Sequence, residues 1–139
     1  MDWIDDEVVV LANAKGNSPI QAASTQPGAT GEAHARASGK LLLALASPDE
    51  MDRYLAKHRL TRRTVNTLTT KAALLRSFEK IREDLVSFDR EEYAIGVTAI
   101  AVPVSRVGAR FSIGLGGPTE RVLANAEQYI EILRQVANS

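Results

Sequence analysis

The chain has 139 residues, no cysteine, and 17 basic against 17 acidic side chains. That length suffices for one domain with a real core, and the missing cysteines rule out disulfides and thiolate chemistry, consistent with a cytoplasmic protein. The balanced charge supplies no field that would draw in nucleic acid, and no apolar run approaches the ~20 residues that cross a bilayer.

Trp3-Ile4, the acidic turn Asp5-Asp6-Glu7 and Val8-Val9-Val10-Leu11 read as the stump of one strand followed by a second. A strand this close to Met1 lacks upstream neighbours, so the chain is read as N-terminally truncated. Ile20 to Ser24 is a third strand, entered by the turn Lys15 to Pro19 and left by the loop Thr25 to Gly31. Glu32 to Ala46 reads as a helix with Ala33, Ala37, Leu41, Leu42 and Leu45 at helical spacing. Gly39 within it costs about 1 kcal/mol against Ala and points to close backbone approach. The pair Gly39-Lys40 is no phosphate loop: His34 stands where that motif needs Gly, and Leu41 where it needs Ser or Thr.

Ser47-Pro48-Asp49-Glu50 is a capping box with Pro at the first helical position, opening a short helix whose buried stripe is Met51, Tyr54 and Leu55. Lys57-His58-Arg59 and Arg62-Arg63 read as a solvated basic patch, since no aromatic residues interleave. Thr70 can cap a helix carrying Leu74, Leu75, Phe78, Ile81 and Leu85 on one face, with Lys80 and Asp84 paired on the wet side. Val86 to Phe88 is a short strand, and Asp89-Arg90-Glu91-Glu92 an acidic loop. After Pro118 a last helix presents Leu123, Ala126, Tyr129, Ile130, Leu133 and Ala137.

Gly96 to Pro118 is the most informative stretch. Ile100, Val102 and Val104 fall on one face of a strand and Ala99, Ala101 and Pro103 on the other; Phe111, Ile113 and Leu115 alternate with Ser112, Gly114 and Gly116 in the next. A four-residue loop over Ser105 to Gly108 sets Ala99 opposite Gly114 and Ala101 opposite Ser112. One sheet face is then stripped of side chains. Either a helix or backbone packs very close to it, or something other than protein fills the space. Taken alone, the hairpin favours close packing. The order of elements, without regular βα alternation, predicts an α+β domain: an antiparallel sheet with helices packed on it.

Catalysis has little support. His34 and Ser38 are helix neighbours at i,i+4, but nothing supplies a third group and no nucleophile turn of the Gly-x-Ser-x-Gly type exists. No metal-ligand spacing surrounds either histidine, and no cofactor is expected.

Glu32-Ala33-His34-Ala35-Arg36-Ala37-Ser38-Gly39-Lys40-Leu41-Leu42-Leu43-Ala44 resembles the His-Ala-x-Ala-x-Gly-Lys helix of the effector domain of IclR-type transcriptional regulators. Asn66-Thr67-Leu68-Thr69, Phe88 to Glu92, Gly96 to Val104 and Gly117-Pro118 follow in that family's order. The resemblance implies a GAF/PAS-like fold, a six-stranded antiparallel sheet flanked by helices around a small-molecule pocket. It also implies a homo-oligomer (dimer or tetramer) that reaches DNA through an upstream winged helix-turn-helix domain, joined by a linker helix and absent from this chain. The ligand is expected to be a small organic acid. Its carboxylate would meet the backbone amides of Ala37 and Ser38, which in a continuous helix sit a turn in, so that contact requires an irregular start. Asp89 would take a ligand hydroxyl.

Where binders of small keto acids place a Cys and two Ser, this chain has Ala99, Gly114 and Gly116. All three changes remove a polar group from the bare face, so a ligand bulkier or more apolar than glyoxylate is expected. Leu85 and Val86 replace the family's Gly-Tyr. Two other readings stand beside the sensor: an orphan oligomerisation domain whose cavity is closed by helix packing, and, more remotely, a small hydrolase.

Overall fold

The computed structural model describes residues 2–4, 7–9, 28, 30–104 and 111–139. β1 (Asp2–Ile4) and β2 (Glu7–Val9) form an antiparallel hairpin with Trp3 opposite Val8. A 3-10 turn at Ala33–Ala35 leads into α1 (Ala37–Leu45), followed by α2 (Pro48–Lys57) and α3 (Lys71–Asp84). β3 (Ser87–Arg90), β4 (Val97–Pro103) and β5 (Ser112–Pro118) make an antiparallel sheet in that order. α4 (Thr119–Ala124) and α5 (Ala126–Ala137) close the chain. This is the expected α+β class. The predicted third strand at Ile20 to Ser24 and the predicted hairpin loop at Ser105 to Gly108 lie outside the described residues, as do Val10 and Leu11.

Helices cover both faces of the three-stranded sheet. On one side Leu41, Leu42, Leu43, Tyr54, Leu74, Phe78 and Ile81 pack with Ala101 and Val8. On the other, Ile100 and Val102 meet Val122, Leu133 and Ala137, flanked by Phe88, Ile113 and Leu115. α1 is the central helix: Ala37, Gly39 and Lys40 through Ala44 are all buried. An apolar helix without a polar face can exist only where protein covers it on every side. Here α2 and α3 do so from above and the sheet from below.

The β4–β5 register differs from the prediction by two residues. Ala99 pairs with Gly116, Ala101 with Gly114 and Pro103 with Ser112, while Ile100 meets Leu115 and Val102 meets Ile113. The Val104 amide donates to the Phe111 carbonyl, so the connection is longer than four residues. Because side chains alternate with a period of two, this shift leaves small opposite small and large opposite large. Side-chain sorting selects a face, and any even shift satisfies it.

The helix predicted over Glu32 to Ala46 is interrupted. Arg36 is extended (φ −113°, ψ 144°), the 3-10 turn precedes it, and the first α-helical bond runs from the Lys40 amide to the Arg36 carbonyl at 2.9 Å. Gly39 is the reason the chain can fold back here. A Cβ at that position would stand 2.4 Å from the Ala33 carbonyl oxygen and 2.5 Å from its Cα. The Tyr54 hydroxyl accepts the Ala33 amide at 3.2 Å and holds the turn from the α2 side.

Several expectations are corrected by packing. Leu85 is 46% exposed and occupies the left-handed C-cap of α3 (φ 53°), the position glycine fills without strain. That is what replacing the family's Gly-Tyr entails. Leu123 points outward and Val122 inward, since the last helix breaks at Asn125 and its phase resets. The short strand begins one residue later than predicted, and Asp89 and Glu92 are buried, not part of a solvated loop. The basic patch is solvated at Lys57, Arg59, Arg62 and Arg63, all exposed, while His58 is half-buried. His58 bridges the Tyr54 carbonyl and the Glu7 carboxylate, and Arg63 pairs with Glu32 at 2.6 Å. The capping box at Ser47, the Thr70 cap and the exposed Lys80–Asp84 pair at 3.1 Å are as expected.

Two substitutions separate these constraints by denaturation. Gly39→Ala is expected to destabilise by roughly 3 kcal/mol or more, because backbone must move to admit the methyl. Leu85→Gly should instead stabilise by about 1 kcal/mol through relief of left-handed strain.

Candidate functional site

The small-residue face of the sheet lies under α1. Across three strands it forms two rows: Ser87, Ala101 and Gly114, then Asp89, Ala99 and Gly116. The rows differ. In the first, a Cβ on Gly114 would stand 2.8 Å from the Ile100 carbonyl oxygen and 3.1 Å from Ser38 Oγ, and Ala101 belongs to the core under α1. The β4 backbone and the Ser38 side chain crowd Gly114, which is nonetheless exposed. In the second, a Cβ on Gly116 would make only ordinary contacts, the nearest at 3.4 Å to Ala99 Cβ. Gly116 is exposed and Ala99 half-buried. The strip with room for an added side chain shares its row with Asp89.

The break at Arg36 makes Ala37 and Ser38 the first two residues of α1. Their amides, with that of Gly39, have no intrahelical acceptor by geometry. Arg36 provides no side-chain cap, and no acidic residue stands in the first turn. A helix of nine residues thus presents its positive end uncapped, an arrangement that favours an anion. The irregular start that the sequence required is present.

Asp89 is 4% exposed. Its Oδ1 accepts the amides of Glu92 at 2.7 Å and Tyr93 at 3.2 Å, fixing the turn after β3; Oδ2 has no partner among the described residues. Burial pushes this carboxyl up to about 6, with the neighbouring Glu92 charge adding to the effect; the two amides and Lys40 act against it. Glu92 is itself matched, since Lys40 Nζ donates to its Oε1 at 2.7 Å and to the Phe88 carbonyl at 2.6 Å. The Gly39-Lys40 pair therefore serves architecture: Gly39 admits the turn and Lys40 ties α1 to β3.

Of the six residues singled out in the sequence, Ser38 and Gly114 are in close approach, and Asp89, Ala99 and Gly116 share one row. Ala37 is buried at the helix start. Sequence reasoning missed Lys40, Glu92 and Tyr93, whose partners include segments 30 to 57 residues away. It also set His34 one turn from Ser38 on a continuous helix. The ring is fully buried, with Nε2 bonded to the Thr61 carbonyl at 2.9 Å, and the break at Arg36 removes the i,i+4 relation to Ser38.

The sequence profile of the family described as bacterial transcriptional regulator IclR, C-terminal, matches residues 4–139. The chain belongs to that family. This IclR C-terminal domain is 34% identical over 139 aligned residues to the HTH-type transcriptional regulator BhcR of Paracoccus denitrificans, covering 95% of this chain and 50% of that protein. The chain spans half or less of the length of the curated relatives it matches. Among solved structures it is similar to the transcriptional regulator YaiJ, with a TM-score of 0.88, 25% identity, and coverage of 99% of this chain and 78% of that one. It is also similar to the inducer-binding domain of a double mutant of the PobR transcription factor from Acinetobacter, in complex with 3-hydroxybenzoic acid. There the TM-score is 0.81 and the identity 27%, covering 99% and 82% of the two chains. The IclR family consists of transcriptional regulators, not enzymes, which sets aside the hydrolase reading. No helix among the described residues is long and apolar enough to cross a membrane.

The raised Asp89 carboxyl has a consequence for stability. The folded state holds this proton more tightly than the unfolded chain, so its contribution is complete below about pH 4 and is lost as pH rises through about 6. Asp89→Asn keeps an acceptor for both amides and removes the titration. Its stability relative to wild type should rise by roughly 2 to 3 kcal/mol between pH 4 and 7.5, read from urea unfolding at each pH. Parallel profiles for the two proteins would contradict this.

Proposed function

We propose that this IclR C-terminal domain senses an organic carboxylate bulkier and more apolar than glyoxylate, bound between the start of α1 and the Asp89 row. The carboxylate meets the amides of Ala37 and Ser38, Asp89 accepts a hydroxyl, and the body of the ligand lies against Ala99 and Gly116, past the edge of Gly114. One observation carries this reading: the break at Arg36 leaves uncapped amides above a face that is emptied in the row containing a buried carboxyl. The 3-hydroxybenzoic acid bound by the PobR domain, a relative of the same fold, supports the choice of an aromatic acid. Binding shifts the relative placement of subunits in a homo-oligomer and so the DNA-binding parts that the family resemblance implies. The spacer alternative, a domain that only oligomerises, draws on the Ser38–Gly114 approach, which narrows one of the two rows.

Calorimetry with glyoxylate, pyruvate, benzoate and 3-hydroxybenzoate is the direct test. Micromolar binding of an aromatic acid and none of glyoxylate is expected; micromolar glyoxylate would refute the ligand class. Gly116→Val adds a side chain to the open strip, where its Cβ makes only ordinary contacts. It should weaken aromatic-acid binding at least tenfold while the melting temperature stays within a few degrees. Binding unaffected by the added side chain would move the site elsewhere.

A further inference from the structure

Tyr93 stands where four segments converge. Its amide donates to Asp89 Oδ1 at 3.2 Å. Its hydroxyl accepts from Arg36 Nη2 at 3.1 Å, and the Arg36 guanidinium lies 4.5 Å from the ring centroid. The Arg63 guanidinium lies 3.8 Å from the same centroid, its Nε donates to the Tyr93 carbonyl at 2.9 Å, and its Nη1 pairs with Glu32 at 2.6 Å. Arg36 is the residue at which the 3-10 turn gives way to α1, and Glu32 is the residue before that turn. One aromatic side chain thus connects the turn that carries Asp89 to the backbone that exposes the helix amides.

The chemistry suits a positioning part. A guanidinium is attracted to the negative face of an aromatic ring, and its planar fork fixes direction as well as distance. Lys40 also ties α1 to β3, but it does so one turn further along the helix, through Phe88 and Glu92. At the residue just before the helix, Arg36 reaches the Asp89 turn through Tyr93. Its half-buried ring belongs to neither hydrophobic cluster, so holding the core together is not what the arrangement achieves.

We infer that Tyr93, gripped by Arg36 and Arg63, is a positioning residue of the effector site that sets the Asp89 carboxylate relative to the amides at the start of α1. The inference rests on the effector-site reading above, in which a ligand carboxylate and a ligand hydroxyl are held at once. A ligand that engages both ends senses their separation; one that engages only the amides does not. Tyr93 therefore governs discrimination between hydroxylated and unsubstituted acids, more than affinity in general.

The test compares 3-hydroxybenzoate with benzoate by calorimetry on the full chain, for wild type, Tyr93→Leu, Tyr93→Phe and Arg36→Lys, with a thermal melt of each. Wild type is expected to prefer the hydroxylated acid at least tenfold, the worth of a hydrogen bond to a carboxylate. In Tyr93→Leu the preference should shrink to about threefold or less while benzoate binding is unchanged. Tyr93→Phe, which keeps the cation–π contacts, should retain an intermediate preference, and Arg36→Lys should behave like Tyr93→Leu. Equal losses for both acids, or an undiminished preference in folded variants, would overturn the positioning role and leave the effector site intact. A wild-type chain that binds neither acid would remove the site reading itself, and the inference with it. Should Tyr93→Leu fail to fold, Tyr93→Phe and Arg36→Lys carry the comparison.

Discussion

The closeness of Gly39 to the backbone of Ala33 is the constraint on which the rest of this domain depends. With 2.4 Å between the Ala33 oxygen and the place where a Cβ would be, only glycine lets the 3-10 turn lie against α1. That contact lets Arg36 adopt an extended conformation, and the extended Arg36 makes Ala37 the first helical residue. Had the helix run on from Glu32, the amides of Ala37 and Ser38 would have been consumed by carbonyls four residues earlier. A missing methyl thus frees the donors of the proposed site.

Electrostatics follows from the same geometry. α1 is buried almost entirely, so Lys40 cannot reach water and must find its partners inside. Glu92 and the Phe88 carbonyl satisfy it, and the resulting pair locks the end of β3 beneath the helix. Asp89 is next to a carboxylate already matched by Lys40, and burial holds its own proton more firmly than water would. Two backbone amides still lower the cost of its charge. A nearby hydroxyl would find an acceptor there and not a second donor.

The sheet shows how a weak signal and a strong one differ. Alternation of Ala99, Ala101 and Pro103 with Ile100, Val102 and Val104 dictates which face each residue takes, because the pleat reverses side chains at every step. It does not dictate which small residue meets which, since any even displacement keeps the sorting. The observed displacement of two residues places Gly116, not Gly114, beside Ala99 and Asp89. Gly114 is thereby moved under Ser38, where it admits the helix.

The linear order of residues by itself determined the local signals: the Ser47 capping box, the Thr70 cap, the two-faced hairpin, the amphipathic spacing of α3 and the kinship with IclR effector domains. The caps and spacings depend on neighbours within a few positions and the kinship on short motifs in order along the chain, so the chain states them without help from the fold. Only the tertiary structure decided what required distant partners. Asp89 and Glu92 look like a wet acidic loop until Lys40, about fifty residues earlier in the chain, is brought over them. Tyr93 has no visible role until Arg36 and Arg63 arrive. Leu85 and Leu123 fit an apolar stripe until a left-handed cap and a break at Asn125 turn them outward. Periodicity carries the direction of a side chain only while the backbone stays regular, and the interruptions that matter here are set by contacts across the fold.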